Sequence, residues 1–387
     1  VINHYAGSPH HGMAYRPYYL AKEWVKAGHN VRILAASFSH LRTCQPELHG
    51  DAWRLEQIDG VDYIWHATPA YKGNGIGRFL NICIFLCKLW YGAKNFANQF
   101  RPDIVIASST YPMDIWAAHR IAKFSGAKLI FELHDLWPIS LIEIKGMSKW
   151  HPFIMWVQMA ESYVYRHADK VISILPNVIE YVRSKGFNVE RLAIVPNGVS
   201  PDEWGAKRHL ALRKDLQEAL DAARASDCKT VGYAGAMGEP NALNILLDSA
   251  LILRGEPIQF ILVGNGHERQ VLLDRIEDEA INNVSIYEPI PKEQIPSFLG
   301  QVQALYIGAP PCSLYHYGVS PNKLMDYMMA GVPIIYAINS GNDPVGEAQC
   351  GIRVEPDNPE AIATGIREIL RKDPEELAGM GDNGRTY

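Results

Sequence analysis

The residues best suited to chemistry lie in Gly318-Val-Ser-Pro-Asn-Lys-Leu-Met-Asp-Tyr-Met-Met-Ala-Gly-Val-Pro333. Ser320 is a good helix N-cap, Pro321 suits the first helical position, and Gly331 with Pro333 supplies the stop. Free N–H groups of the first turn and the positive end of the helix dipole favour an anion there, and Lys323 adds a full charge. One turn on, Asp326 shares a side of the helix with Asn322 and Lys323, where a carboxylate can accept hydrogen bonds from sugar hydroxyls. A phosphate site followed by a hydroxyl acceptor describes a nucleotide diphosphate pocket. On these residues alone the alternative is a capped surface helix whose Lys323 and Asp326 pair in solvent.

Other loops offer related chemistry. Gly7-Ser8-Pro9-His10-His11-Gly12 follows a first strand and precedes a helix expected over 14–27, so backbone and helix N–H groups can approach a ligand. Arg16 falls on the first helical turn as a candidate substrate contact or a plain surface arginine. The loop lacks GxGxxG, which argues against a dinucleotide fingerprint. Adjacent His10 and His11 point apart and have no third partner, so no metal is expected there. Glu132-Leu133-His134-Asp135-Leu136-Trp137-Pro138 spans a strand end, with His134 able to donate or accept near neutrality and Asp135 a base or hydroxyl ligand. The alternative is a structural pair capping the next segment. In the second half, the loops at Gly235–Gly238 and Gly264–Gly266 each end a strand before a helix. With Ser320–Lys323 they place three loops on one edge of one sheet, which favours a phosphate-bearing ligand.

Apolar strand-like runs that alternate with helical patterns must position these groups. They fall at 31–36, 103–107, 127–133, 170–174 and 192–195, then at 230–234, 258–263, 284–287, 304–307 and 332–338. Short buried runs separated by helices predict parallel sheets covered on both faces. A Pro/Gly/Asn-rich cluster, Pro196 to Asp202, interrupts the series and reads as a linker. The expected architecture is α/β, two doubly wound domains over residues 1–198 and 199–387. In such sheets ligands bind at strand carboxyl ends, so an interdomain cleft is the expected site.

Composition narrows the class. The chain has 387 residues, 48% hydrophobic and 20% charged, as in ordinary globular proteins. Residues 1–200 hold 21 Lys+Arg against 15 Asp+Glu, whereas residues 201–387 hold 16 against 27. The basic excess forms no run, so nucleic acid is not expected; weak affinity of the first half for an anionic membrane is. Six scattered cysteines without metal spacing suggest reduced thiols of a cytoplasmic protein. No secretory signal or long apolar span is read. Val1 opens partway into a strand, so leading residues are expected before it.

The ordered series resembles glycosyltransferase family 4: a Gly-bearing first loop, Ala27-Gly28-His29-Asn30-Val31, Glu-Leu-His-Asp-Leu-Trp-Pro, a Pro-Asn-Gly linker, Gly-Asn-Gly and Ser-Pro-Asn-Lys…Ala-Gly-Val-Pro. The resemblance is strongest to bacterial O-antigen and capsule enzymes that transfer N-acetylated amino sugars, and it covers nearly the whole chain. It implies the GT-B fold, two Rossmann-like domains facing a cleft, with the first binding the acceptor and the second the donor. It implies retaining, metal-independent transfer from a nucleotide sugar, most simply UDP-linked, to a glycan or polyprenyl-diphosphate-linked acceptor, with no cofactor. By position, Lys323 becomes a diphosphate contact, Asp326 the acidic ligand of the ribose, and Ser320 and Asn322 neighbours of the donor. Gly235, Gly264 and Gly266 line the donor pocket. His134 becomes the contact near the reacting carbon with Asp135 beside it, while His11, Gly12 and Arg16 fall on the diphosphate or acceptor loop. Two departures stand out. Gly318 takes the place of the first of two glutamates, with Asp326 shorter at the second, and Ala236 and Asn241 stand where an Arg and a Lys are usual. The family's closing helix, which packs back on the first domain, looks truncated at Tyr387. Alternatives are a non-hydrolysing UDP-sugar epimerase of the same fold and a non-catalytic sugar-nucleotide-binding partner.

One apolar stretch stands outside this scheme. Phe79–Tyr91 has only Asn81 and Lys88 as strongly polar residues, and a second aromatic stretch includes Trp150, Phe153, Met155, Trp156 and Met159. Thirteen residues are too few for a bilayer, so a buried core helix is one expectation. Peripheral contact of the first domain with the inner face of a membrane is the other.

Overall fold

The computed structural model describes residues 1–73, 75–205 and 210–387. The chain divides into two compact units, Val1–Pro196 and Asn197–Tyr387.

Among the described residues the first unit has seven strands: β1 (Arg32–Ala36), β2 (Trp53–Ile58), β3 (Val61–His66), β4 (Ile104–Ala107), β5 (Lys128–Leu133), β6 (Lys170–Ser173) and β7 (Leu192–Ile194). They pair in the orders β1-β3-β2 and β4-β5-β6-β7. Ile2 joins the two sets by parallel bridges to Leu34 and Ala107. The strand expected before Gly7 is therefore a bridging segment, and the strand order reverses about it. The loops after Ile2 and after β4 flank this switch point, where ligands bind in doubly wound sheets.

One feature departs from the all-parallel expectation. β2 and β3 form an antiparallel hairpin, Ile58 facing Val61 across the two-residue turn Asp59-Gly60. Both turn residues have positive φ, 49° and 81°, the geometry that matches the twist of paired strands. The sequence signal was weak because β2 is an edge strand with exposed Trp53 and Leu55, so no apolar run marks it; the Asp-Gly pair was the usable clue.

Among its described residues the second unit has six strands: β8 (Lys229–Ala234), β9 (Ile258–Val263), β10 (Val284–Tyr287), β11 (Ala304–Gly308), β12 (Ile334–Ala337) and β13 (Gly351–Arg353). Their order is β10-β9-β8-β11-β12-β13 and every ladder is parallel. Alternation along a strand splits the core in two: Phe260 and Leu262 go to one face, Ile261 and Val263 to the other. β13, three residues long, gave no apolar run to read. The switch point lies between β8 and β11, so Gly235–Gly238 and the segment leading to Lys323 share one edge. The last helix, Pro374–Thr386, carries a capping box of Asp373 and Glu376. It packs within this unit, where Arg385 donates to the Ala330 carbonyl at 3.3 Å. A side chain at Gly381 would strike the Gly331 carbonyl, its Cβ only 2.2 Å away.

Candidate active site

In the first unit the carboxyl end of β5 delivers Glu132 and, one residue past the strand, His134. Glu132 is buried and takes three partners. Arg16 reaches one carboxylate oxygen at 2.8 Å; the Ser108 hydroxyl donates to the other at 2.6 Å, and His134 Nε2 lies 3.3 Å from it. Ser108, just past β4, is itself held by the Asn3 amide, which donates to its carbonyl at 2.5 Å. Burial alone would raise the Glu132 pKa, but His134, then Arg16 and Ser108, outweigh it and hold the carboxyl at about 2. Burial pulls His134 down, yet Glu132 outweighs that and leaves its pKa raised, with Arg16 opposing. The result is a carboxylate between a guanidinium and an imidazole whose pKa it raises, at the strand end.

Arg16 does more than pair with Glu132. Its two terminal nitrogens donate at 2.8 Å to the carbonyls of Pro196 and Val195, just beyond β7. It therefore ties the first helix, Arg16–Lys26, to β5 and the β7 end. It thus holds three elements together and is not the plain surface arginine that the sequence also allowed. Asp135 is exposed. The next helix, Ile139–Glu143, has Pro138 at its N-cap and no side-chain cap, so His134 and Asp135 are not its capping pair.

The first loop is built around Gly12, whose φ of +89° favours glycine and whose Cβ would meet the Thr43 hydroxyl at 2.8 Å. His11 turns inward. Its Nδ1 bonds the Ser8 hydroxyl at 2.8 Å, its Nε2 lies 3.6 Å from Glu56 of β2, and its ring packs on Trp65. Burial lowers its pKa, with Glu56 opposing. His11 therefore braces the loop on the hairpin, while His10 is exposed. Among the described residues no group of three or more His, Cys, Asp or Glu is placed to hold a metal ion.

In the second unit the helix Asn322–Ala330 begins after Pro321, which is its N-cap without a side-chain bond. Ser320 does not cap it. Its hydroxyl accepts from the Asn197 N–H at 2.8 Å, and its carbonyl accepts from the Asn197 amide at 2.6 Å. Pro321 keeps an extended backbone, with ψ of 129°, so the helix starts one residue later while Ser320 is engaged by Asn197. On the other side Asn342 bonds both the N–H and the carbonyl of Val319, at 2.8 and 3.0 Å. The approach to the helix is thus pinned from two directions, leaving exposed Asn322 at its first position.

Lys323 turns away from Asp326. Its ammonium donates to the Tyr233 hydroxyl at 2.9 Å and to the Asn241 side-chain oxygen, and stands 4.6 Å from the Tyr233 ring centroid. Burial lowers its pKa to about 7. Asp326 instead faces Lys292 at 3.8 Å, and burial raises its pKa against that pull. The solvent pair weighed from the sequence is not formed.

Two glycine loops complete this edge. A Cβ at Gly264 would lie 1.9 Å from the Gly235 carbonyl, and one at Gly266 would lie 2.0 Å from that of Met237. Gly264 and Gly266 therefore let the loops after β8 and β9 pack back to back, and Gly235 lies beside the Lys323 side chain. Tyr327 brackets the end of β8, accepting from the Ala234 N–H at 2.9 Å. Sequence reasoning missed Glu132, Ser108 and Tyr233 as site residues. Asn241, which stands in the sequence where a Lys is usual, supplies the oxygen that orients Lys323.

The comparisons with known proteins decide the family. Residues 11–198 match the family model described as a glycosyl transferase 4-like domain, and residues 228–372 match glycosyl transferases group 1. The chain belongs to the family 4-like glycosyltransferases. It is similar to the putative colanic acid biosynthesis glycosyl transferase WcaI of Escherichia coli K12, 23% identical over 364 residues, 90% of this chain and 86% of that protein. Among solved structures, sucrose-phosphate synthase of Thermosynechococcus elongatus matches with a TM-score of 0.69 at 17% identity, covering 100% of this chain and 90% of the other. Anabaena HepE, solved with UDP and glucose, matches at 0.64 and 14%, covering 100% and 93%. The fold of this glycosyltransferase is GT-B.

Proposed function

We propose that this glycosyltransferase moves a sugar, an N-acetylated hexosamine or deoxyhexosamine, from a UDP-sugar with retention, in surface polysaccharide synthesis. The observation that carries the reading is the Lys323 ammonium, held at the switch point of the second sheet by Tyr233 and Asn241 beside the first turn of a pinned helix. A diphosphate there meets helix N–H groups and a buried cation, which stabilise the charge that develops as the nucleotide leaves. The same arrangement supports transfer without a metal or cofactor. Asp326 is the candidate ribose ligand. The raised pKa of His134 suits a hydrogen-bond donor to the sugar, with Asp135 beside it. In retaining transfer of this family type, the leaving phosphate takes the acceptor proton, so no separate base is required. Support for the pathway comes from the relative named for colanic acid biosynthesis, and for the donor from the fold relative that holds UDP and glucose.

The acceptor in this reading is a glycan on a polyprenyl diphosphate, presented at the cytoplasmic face of a membrane. Phe79–Tyr91 belongs to a 25-residue helix, Ile76–Phe100, which by length and composition alone is apolar enough to cross a bilayer. Its inner face, including Ile82, Phe85 and Leu89, is buried, so it is neither an all-round core helix nor a free span. Trp150 and Met159, 71% and 64% exposed, add to the apolar surface of the same unit. A thermal-shift screen against nucleoside diphosphates and their sugars tests the donor. A ligand at ~100 times its Kd adds about 2.7 kcal/mol of stability, and no response to any uridine nucleotide would overturn the assignment.

A further inference from the structure

Along the outer side of the helix Ile76–Phe100, Ile76, Leu80, Ile84, Cys87 and Tyr91 are all exposed. Their spacing of three and four places them on one face. At 1.5 Å per residue this stripe runs roughly 22 Å. Its far half opens into a cavity of about 680 Å³ between the helix and the β2–β3 hairpin, walled by Trp53, Ile64, His66, Cys83, Ile84 and Tyr91 with their neighbours. Volumes of this order accept a ligand the size of a drug, and such walls favour an apolar one. Burial, with Lys88 adding to it, pushes His66 down to about 4, so the wall holds no imidazolium at neutral pH.

The near end of the stripe lies at the active-site edge of the sheet. Asn81 bonds His4 Nε2 at 2.7 Å, in the segment after Ile2, and Arg78 donates to the Tyr5 hydroxyl at 3.0 Å. A file of rings connects this turn to the loop that carries His134. Trp137 meets Phe153 at 6.2 Å between centroids, and Phe153 meets Phe79 at 6.0 Å. The helix itself holds Arg78, Lys88 and Lys94 and no carboxylate, which suits an anionic lipid. Lys88, itself in the cavity wall, donates to the Ala52 carbonyl at 3.3 Å across it.

We propose that the hairpin cavity seats the hydrocarbon tail of the lipid-linked acceptor, with the Ile76–Tyr91 stripe as the track that leads there from the reaction edge. This rests on the lipid-linked reading above and names the surface that recognises the tail. The test is displacement of dansyl-undecanoate, a fluorescent hydrocarbon-chain probe, from the intact protein. Saturable binding is expected, with farnesyl phosphate displacing the probe at the same concentration as oleate or lower. Cys83→Trp, which fills the cavity, and Cys87→Glu, which puts a carboxylate at an exposed wall position, are each expected to weaken probe binding about tenfold or more. Circular dichroism and cooperative unfolding verify that the variants are folded. Absence of saturable binding, or binding unchanged in the folded variants, overturns the proposal. Displacement by oleate but not by farnesyl phosphate also overturns it and gives the cavity to a membrane acyl chain. The UDP thermal shift of the same samples tests the transferase reading on its own, so the two failures are distinguishable.

Discussion

Lys323 Nζ donates to the Tyr233 hydroxyl at 2.9 Å, and that hydroxyl in turn donates to the Ala236 carbonyl at 2.5 Å. The ammonium on the first turn of the helix Asn322–Ala330 is thus aimed by a chain of hydrogen bonds from the loop after β8. Position 236, where the family usually has a cation, contributes through its backbone.

With burial lowering the Lys323 pKa to about 7, UDP affinity should depend on pH. Below pH 7 the ammonium is charged and binds without proton exchange. Above it the free protein loses the proton, and a bound diphosphate restores it by raising the pKa. Affinity should fall by up to about tenfold per pH unit between 7 and 9, with one proton taken up. Calorimetry in buffers of different ionisation enthalpy reads both; a flat profile would remove Lys323 from the diphosphate site.

Lys323→Ala should weaken UDP binding by about 1.5–3 kcal/mol, the range of a hydrogen bond to a charged group. The fold should survive, because the substitution removes a buried charge and leaves Tyr233 and Asn241 able to take water. Unchanged UDP affinity in the folded mutant is the outcome that defeats the assignment.

Arg16→Met tests the positioning role. It leaves buried Glu132 with His134 and the Ser108 hydroxyl but without its guanidinium, and breaking a buried pair in this way costs about 3–5 kcal/mol of stability, measurable by urea titration. The sign with pH follows from Glu132. Its folded pKa, at about 2, lies below the ordinary 4.5, so its stabilisation is present above 4.5 and is lost as pH falls towards 2. Without Arg16 the folded pKa rises and acid unfolding should begin at higher pH. A mutant with unaltered stability and acid limb would show that Arg16 is dispensable to the cluster.

Transfer should persist in EDTA if, as proposed, Lys323 and the helix N–H groups supply the positive charge that a divalent ion would otherwise provide. Loss of activity on chelation, restored by magnesium or manganese, would contradict this.

Flotation with liposomes should show binding to anionic vesicles at low salt and release as ionic strength rises, because the attraction of exposed cations is screened over about 10 Å at 0.1 M salt. Equal flotation with neutral and anionic vesicles would leave the cations of Ile76–Phe100 without the role given to them.

The parallel strands were legible because buried strands between helices read as apolar runs, as Ile258–Val263 does. The β2–β3 hairpin was not, because Trp53 and Leu55 face solvent on an edge. Lys323 was found through its place at a helix start, but its partners were not. Tyr233 looks like any core aromatic of a strand, and Asn241 lies 82 residues away in the chain. Ser320 has the composition of a cap, and only the structure shows its hydroxyl taken by Asn197. Glu132 reads as one residue of a strand; its importance comes from Arg16 and Ser108, which the fold brings to it from two other elements.

The Asp59-Gly60 turn has a consequence for the order in which the chain assembles. Hairpins close in microseconds because their partners are neighbours along the chain, and β2–β3 is the antiparallel pair of its sheet. Every ladder of the second unit is parallel and must wait for a crossover to form between its strands. The hairpin carrying Trp65 and Tyr63, whose rings stack at 4.9 Å, therefore closes the shortest loop and is expected to pair ahead of the parallel ladders. The hairpin that walls the cavity is thus suited to be among the earliest parts of the molecule to hold its shape.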